Sequence, residues 1–234
     1  MANSLISSFM VEFLASFAIV FYATNQVQEN KELLILNNAL SLFFIVMPMA
    51  WFSHKISGGH LNPLVSLSAL IAGKSTVSTA LFNMLGQMVG GFSGFFTLRL
   101  MEPPAASSFY DNSGTIDLML MEAITVFCIC LVFLVTANNR KISRAIYGFV
   151  VPGVYCAGAL SFGVLFSGRF NPAWYLPVYL IEGGFMSTLF IQICAGGVAS
   201  VLAGLLYRFM LDNTKAKNLE RHRVENDDTS TINF

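Results

Sequence analysis

Six long apolar runs, separated by short polar stretches, dominate the chain: residues 5–22, 33–52, 77–100, 116–137, 145–166 and 185–211. A helix needs about 20 apolar residues to cross the hydrocarbon of a bilayer, so each run predicts a spanning helix. The first run has neither a basic leading region nor a small-residue cleavage site. It therefore predicts a retained helix rather than a cleaved signal peptide. Two further apolar pieces, 61–72 and 170–181, are too short to cross and suit re-entrant segments. Each carries Asn-Pro at its start. Residues 212–234 are polar and mixed in charge, which predicts a flexible tail. The pattern predicts an all-α membrane protein of six transmembrane helices and two re-entrant half-helices, in one domain over 1–211.

Composition narrows the function. The chain of 234 residues is 55% hydrophobic and 11% charged, where soluble domains carry roughly 25% charged residues. That excludes a soluble globular protein and a disordered one. Lys plus Arg number 13 and Asp plus Glu number 13, so there is no basic excess to attract nucleic acid. Cys128, Cys130, Cys156 and Cys194 all lie inside apolar runs, where no disulfide framework forms. His54, His60 and His222 lack metal-ligand spacing. With no nucleophile–base pairing and no phosphate-binding glycine loop, no metal, cofactor or enzymatic activity is expected.

Charge also orients the chain. With six spans the termini share a side, and Lys55, Lys74, Arg140, Lys141, Arg144, Arg208, Lys215, Lys217, Arg221 and Arg223 fall on it. Only Lys31, Arg99 and Arg169 fall opposite. The positive-inside rule then predicts both termini in the cytoplasm; which cellular membrane the protein occupies stays open.

The chain repeats itself. Glu12 and Glu122 are acids inside apolar runs, where charge is costly and has a structural or functional reason. Glu12-Phe-Leu-Ala-Ser-Phe matches Glu122-Ala-Ile-Thr-Val-Phe; 50 residues separate Glu12 from Asn62 and 49 separate Glu122 from Asn171. Repeat one covers about 1–100 and repeat two about 115–211, each with three spans and one short segment. Three being odd, the second repeat inserts upside down, which predicts a site at the midplane between discontinuous helices.

Asn is a favoured N-cap and Pro a favoured first helical residue, so Asn62-Pro63 and Asn171-Pro172 each start a half-helix. Each Asn carbonyl accepts from its own helix, which leaves its NH2 as an outward donor. The two positive dipole ends meet at the centre and disfavour cations. The preceding irregular segments, with Gly58, Gly59 and His60 in one half and Gly168 and Arg169 in the other, offer backbone carbonyls along a wet path. Glu12 and Glu122 are expected to brace these loops by accepting hydrogen bonds from them. Gly86, Gly90 and Gly94 form a small-residue row suited to close helix packing.

Ser57-Gly-Gly-His-Leu-Asn-Pro-Leu and Ser167-Gly-Arg-Phe-Asn-Pro-Ala resemble the paired signatures of the aquaporin (major intrinsic protein) family. Gln87, Glu12 and Glu122 resemble that family's pattern too, over Glu12 to about Leu211. The resemblance implies a passive channel for water and/or small neutral solutes such as glycerol or urea, assembled as a homotetramer with one pore per subunit. It implies a pore centre at Asn62, Pro63, Leu64, Asn171, Pro172 and Ala173, where the asparagines orient a water and break proton hopping. Its selectivity filter falls on Leu42, Ala159, Gly168 and Trp174. The chain departs from the family in three places: Leu64 replaces the usual Ala, Trp174 the usual Arg, and Tyr175 stands where glycerol-conducting members carry Asp. Leu64 adds bulk to a tight core, a cost of about 1–3 kcal/mol unless neighbours shrink. Trp174 offers one donor and a large apolar face, so the filter is expected to be less polar. If Trp174 instead turns toward the protein, Ala159 leaves a wider opening.

Two other functions stay in view. A coupled secondary transporter also uses inverted repeats and broken helices. A poorly conducting structural or junctional membrane protein of the same fold is compatible with Leu64 and Trp174. The ending Ile232-Asn233-Phe234 fits a carboxyl terminus that a PDZ domain takes as an added strand.

Overall fold

The computed structural model describes residues 2–24, 31–101, 115–137, 144–166, 170–183 and 186–230. Those residues form eight helices and no strand: α1 Ala2–Thr24, α2 Lys31–Ser53, α3 Pro63–Ile71, α4 Val77–Met101, α5 Thr115–Ala137, α6 Arg144–Phe166, α7 Pro172–Glu182 and α8 Met186–Ser230. Six are long, and α3 and α7 are short, with 9 and 11 residues. Five of the long helices are apolar enough to cross a membrane by length and composition. The sixth, α4, has the length, since 25 residues rise about 38 Å. Its hydropathy is diluted by one inward face that buries Ala80, Asn83, Gly86, Gln87, Gly90, Gly91 and Gly94. Its other face exposes Val77, Leu81, Leu85, Val89 and Phe96. Exposed side chains such as Phe44, Phe149, Leu120, Phe190 and Val198 continue this apolar surface around the molecule. On a soluble protein so large an apolar surface would be anomalous; against lipid it is the solvent-compatible face.

The helix pairing has an internal symmetry. Exchanging α1 with α5, α2 with α6, α3 with α7 and α4 with α8 maps every packed pair onto a packed pair, with α2–α6 and α3–α7 mapping onto themselves. Thus α1 lies on α4 as α5 lies on α8, and α3 lies on α8 as α7 lies on α4, while α2 faces α6 and α3 faces α7. Each half-helix therefore packs against a long helix of the other half, which locks the two repeats together.

Small residues set the spacing of these pairs. A methyl group on Gly86, Gly90 or Gly94 would collide with the backbone oxygens of Phe9, Phe13 and Phe17, so α1 and α4 approach at backbone contact. Gly91 makes the same approach to the Ala173 carbonyl at the start of α7. The far end of α7 is tied to α4 by an ion pair between Arg99 and Glu182, and the Arg99 guanidinium lies 4.9 Å from the Phe95 ring centroid. The α8 helix runs on through the polar residues from Asp212 to Ser230, where the sequence predicted a flexible tail. No Gly or Pro interrupts the chain after Gly204, and Lys, Ala, Leu, Glu and Arg recur there, so nothing local stops the helix.

The glycine row makes a testable demand. Gly90→Val should lower stability by about 3 kcal/mol or more, because backbone atoms cannot yield as side chains do. Gly197→Val, at a position open on all sides, should be tolerated. Melting temperatures of the two proteins in detergent check the contrast.

Candidate functional site: the meeting point of two half-helices

The two short helices begin alike. Asn62 caps α3 from an extended conformation, its Oδ1 accepting from Leu64 N at 2.9 Å. Asn171 caps α7 in the same way, accepting from Ala173 N at 3.0 Å. Pro63 and Pro172 occupy the first helical position, where a missing N–H costs nothing. The caps also reach across to each other's half. Asn62 Nδ2 donates to the Phe170 carbonyl at 2.8 Å, and Asn171 Nδ2 donates to the Leu61 carbonyl at 2.9 Å. Each asparagine thus holds the residue just before its counterpart, and the two helix N-termini meet head to head inside the protein.

The loop leading to Asn62 is irregular and buried, so its polar groups need partners. Glu12 supplies most of them from α1. Its Oε1 accepts from Ser57 Oγ at 2.6 Å and His60 N at 2.9 Å; its Oε2 accepts from Leu61 N at 2.7 Å and Gln87 Nε2 at 2.7 Å. A second layer of buried polar groups continues from it. Asn83 donates to the Ser57 carbonyl at 3.2 Å and accepts from Ser8 Oγ at 2.6 Å, while His60 Nδ1 lies 3.0 Å from Ser66 Oγ. Leu61 is held in the left-handed region at φ 57°, which bulky residues rarely adopt. Its N–H is fixed by Glu12 and its carbonyl by Asn171. Strain of this kind persists where the surroundings over-determine it. Gly58 and Gly59, at φ 93° and 71°, take the same turn without a side chain to oppose it.

The second half differs in what is described. Glu122 is fully buried beside Gly196, and its carboxylate oxygens have no hydrogen-bond partner among the described residues. The expected donors at 167–169, Gly168 and Arg169 included, lie outside those residues. Leu64 finds its room against α8: a Cβ on Gly196 would lie 2.7 Å from Leu64 Cδ1. The smaller neighbour answers the added bulk of Leu64.

One cavity borders this meeting point and another borders the loop that leads to it. The latter, of about 250 Å³, is lined by His54, Ser57, Gly58, His60, Lys74 and Thr76, with further α3–α5 residues. The former, of about 10 Å³, is lined by Ile19, Leu42, Val46, Val151, Tyr155, Asn171, Trp174 and the loop 59–61. That volume admits one water at most. Leu42 and Trp174 thus share a wall with Asn171. Ala159 is buried but is not in that wall; the α6 residue Tyr155, one turn earlier, is. Pro63, Leu64, Pro172 and Ala173 set the helix starts without lining the cavity. Trp174 is buried, and its Nε1 donates to Thr24 Oγ1 at 2.7 Å. The indole N–H is therefore spent on α1, and its ring faces the cavity as an apolar surface.

One expectation needs correction. The sequence predicted an outward amide donor on each asparagine. Asn62 keeps none, because its Nδ2 also donates to the Tyr155 hydroxyl at 2.8 Å. Asn171 leaves one N–H without a protein partner among the described residues. Gly59 is affected likewise: its carbonyl, expected along the path, accepts from the Tyr147 hydroxyl at 2.5 Å. Neither tyrosine stands in a recognisable motif. The available signal was their spacing on α6, with Tyr147, Val151, Tyr155 and Ala159 each four residues apart on one helix face.

Glu12 accepts four hydrogen bonds, which only a carboxylate can do. Glu12→Gln should cost about 2 kcal/mol, since its NH2 would oppose donors already in place. Glu12→Ala should cost more. Thermal denaturation in detergent measures both, and an unchanged melting temperature for Glu12→Ala would rule out the bracing role.

Comparisons with known proteins agree with this geometry. The family model described as "Major intrinsic protein" matches residues 2–207. A probable aquaporin, TIP3-2 of Arabidopsis thaliana, is 31% identical over 186 residues, covering 76% of this chain and 67% of its own length. Human aquaporin-5 is 25% identical over 209 residues, covering 86% of this chain and 79% of its own. Among solved structures, the aquaglyceroporin from Plasmodium falciparum shares the fold with a TM-score of 0.71 at 20% identity, covering 87% of this chain and 96% of that one. The six long helices, the two half-helices meeting at their capped starts and the match over nearly the whole chain make this protein a member of the major intrinsic protein family.

Proposed function

We propose that the protein is a passive, multi-pass membrane channel for water and small uncharged solutes. The observation that carries this is the head-to-head meeting of α3 and α7. It puts two positive helix ends and one Asn171 N–H that has no protein partner among the described residues beside a water-sized cavity inside the membrane domain. A cation meets the wrong end of both dipoles there, whereas a neutral molecule finds a donor. The relatives named above as aquaporins and an aquaglyceroporin support a channel over an enzyme, a coupled transporter or a non-conducting junctional protein.

The cavity wall further suggests how the path discriminates. Asn171 and the loop 59–61 present polar groups; Ile19, Leu42, Val46, Val151 and Trp174 present apolar ones. With the Trp174 N–H committed to Thr24, this half of the path offers few replacements for the hydrogen bonds a water leaves behind. Apolar constrictions of this kind slow water by dewetting, so conduction is slow. The filter comprises Leu42 and Trp174, with Gly168 assigned to it by its place in the sequence alone, and cation exclusion rests on the helix dipoles. The termini face the cytoplasm, as the 10 basic residues on their side against 3 opposite favour. The chains assemble as a homotetramer with one pore each, and the carboxyl terminus is suited to a PDZ domain.

Stopped-flow light scattering of proteoliposomes tests the channel. Water permeability should exceed that of empty liposomes and should not depend on an ion gradient; equality with empty liposomes at good incorporation would refute conduction. Trp174→Arg tests the filter. One hydrogen bond restored at the constriction, roughly 1 kcal/mol, should raise water permeability about fivefold. An unchanged rate would remove Trp174 from control of the path.

A further inference from the structure

We infer that Tyr155 is the size-determining residue of the pore: its ring, pinned to Asn62, restricts passage to water and excludes polyols. The inference rests on the channel function proposed above and names its substrate class.

Three observations converge on this residue. The Tyr155 hydroxyl accepts one Asn62 amide hydrogen and the Phe170 carbonyl accepts the other, both at 2.8 Å. Asn62 is thereby fully buried, and Tyr155 stands in the cavity wall in its place. The space left at that point is about 10 Å³, whereas the cavity on the His54 and Lys74 side holds about 250 Å³. His60 borders both cavities, so a solute on the His54 and Lys74 side has ample room before the space narrows beside Asn171 and Tyr155. Finally, α6 is fastened to the loop at a second point, two turns away, where Tyr147 donates to the Gly59 carbonyl. A Cβ on Gly59 would lie 2.6 Å from that hydroxyl, which shows how closely α6 lies on the loop. With its hydroxyl bonded and its helix fastened, the Tyr155 ring is not free to swing aside. A polyol is several times larger than one water and cannot share the remaining space. Water can, and the Tyr155 O–H, which has no acceptor among the described residues, supplies a donor near the amide hydrogen it covers.

The ring and the hydroxyl have separable effects. Removing the ring should widen the centre; removing only the hydroxyl should free the Asn62 N–H while keeping the size limit. Proteoliposomes carrying wild type, Tyr155→Val and Tyr155→Phe are compared for water and glycerol permeability at equal incorporation. Wild type should pass water above empty liposomes and glycerol no faster than they do. Tyr155→Val should raise glycerol permeability about tenfold over wild type, and the ratio of glycerol to water with it. Tyr155→Phe should keep glycerol at the wild-type rate. If the valine protein does not incorporate, Tyr155→Leu makes a smaller change of the same sign and is read in the same way. Glycerol flux through wild type, glycerol flux opened by phenylalanine alone, or a valine or leucine protein with wild-type glycerol flux would each overturn the assignment while leaving the channel intact. All proteins at the empty-liposome rate for water would instead refute the channel, and this inference with it.

Discussion

The Glu12 carboxylate is the interaction on which the architecture depends. Hydrocarbon satisfies no backbone N–H, so a chain that stops being helical at membrane depth must find partners within the protein. The loop before Asn62 breaks the helix for several residues, and Glu12 accepts from a hydroxyl, two backbone amides and a side-chain amide around it. Without that acceptor the His60 and Leu61 amides would be stranded, and Leu61 would lose one of the two bonds that hold its left-handed backbone. The direction of α3, and so the place where its N-terminus points, follows from this one buried charge.

Close helix packing is the second requirement, and it follows from the first. A half-helix can start at the centre only if long helices come near enough to enclose it. Gly86, Gly90 and Gly94 let α1 lie against α4, which carries Glu12 to the loop and Gln87 to Glu12. Gly91 and Gly196 then receive the first turns of α7 and α3. Lipid gives no hydrophobic drive for helices to associate, so backbone-to-backbone approach of this kind carries the packing. The glycines of α4 explain why it falls short of the hydropathy of the five apolar spans: its inward face is chosen for smallness and hydrogen bonding.

Polarity inside the path is distributed unequally between the halves. The α6 helix spends two tyrosine hydroxyls on polar groups of the first half's loop, Tyr147 on the Gly59 carbonyl and Tyr155 on the Asn62 amide. Asn171 keeps one N–H without a partner among the described residues, and Trp174, bonded to Thr24, turns an apolar ring to the cavity. The two repeats are alike in how they are built and unlike in what they show a solute. Symmetry of packing is demanded by the inverted halves; symmetry of the pore surface is not.

Much of this was legible in the chain. Run lengths fix how many helices can cross, Asn-Pro marks where short helices begin, and the spacing from Glu12 to Asn62 and from Glu122 to Asn171 reveals the repeat. These features are local or periodic, and helix geometry and capping chemistry act on neighbours in sequence. Which donors remain free is not local. Asn62 and Tyr155 are 93 residues apart and Trp174 and Thr24 are 150 apart, and no pattern in the chain says that these side chains meet. The sequence determined that two asparagines would cap two half-helices. Tertiary structure alone decided that the Asn62 amide would be covered by a phenol while Asn171 keeps an N–H unpartnered among the described residues, because a hydrogen bond forms wherever packing brings donor and acceptor within reach, however far apart they lie along the chain.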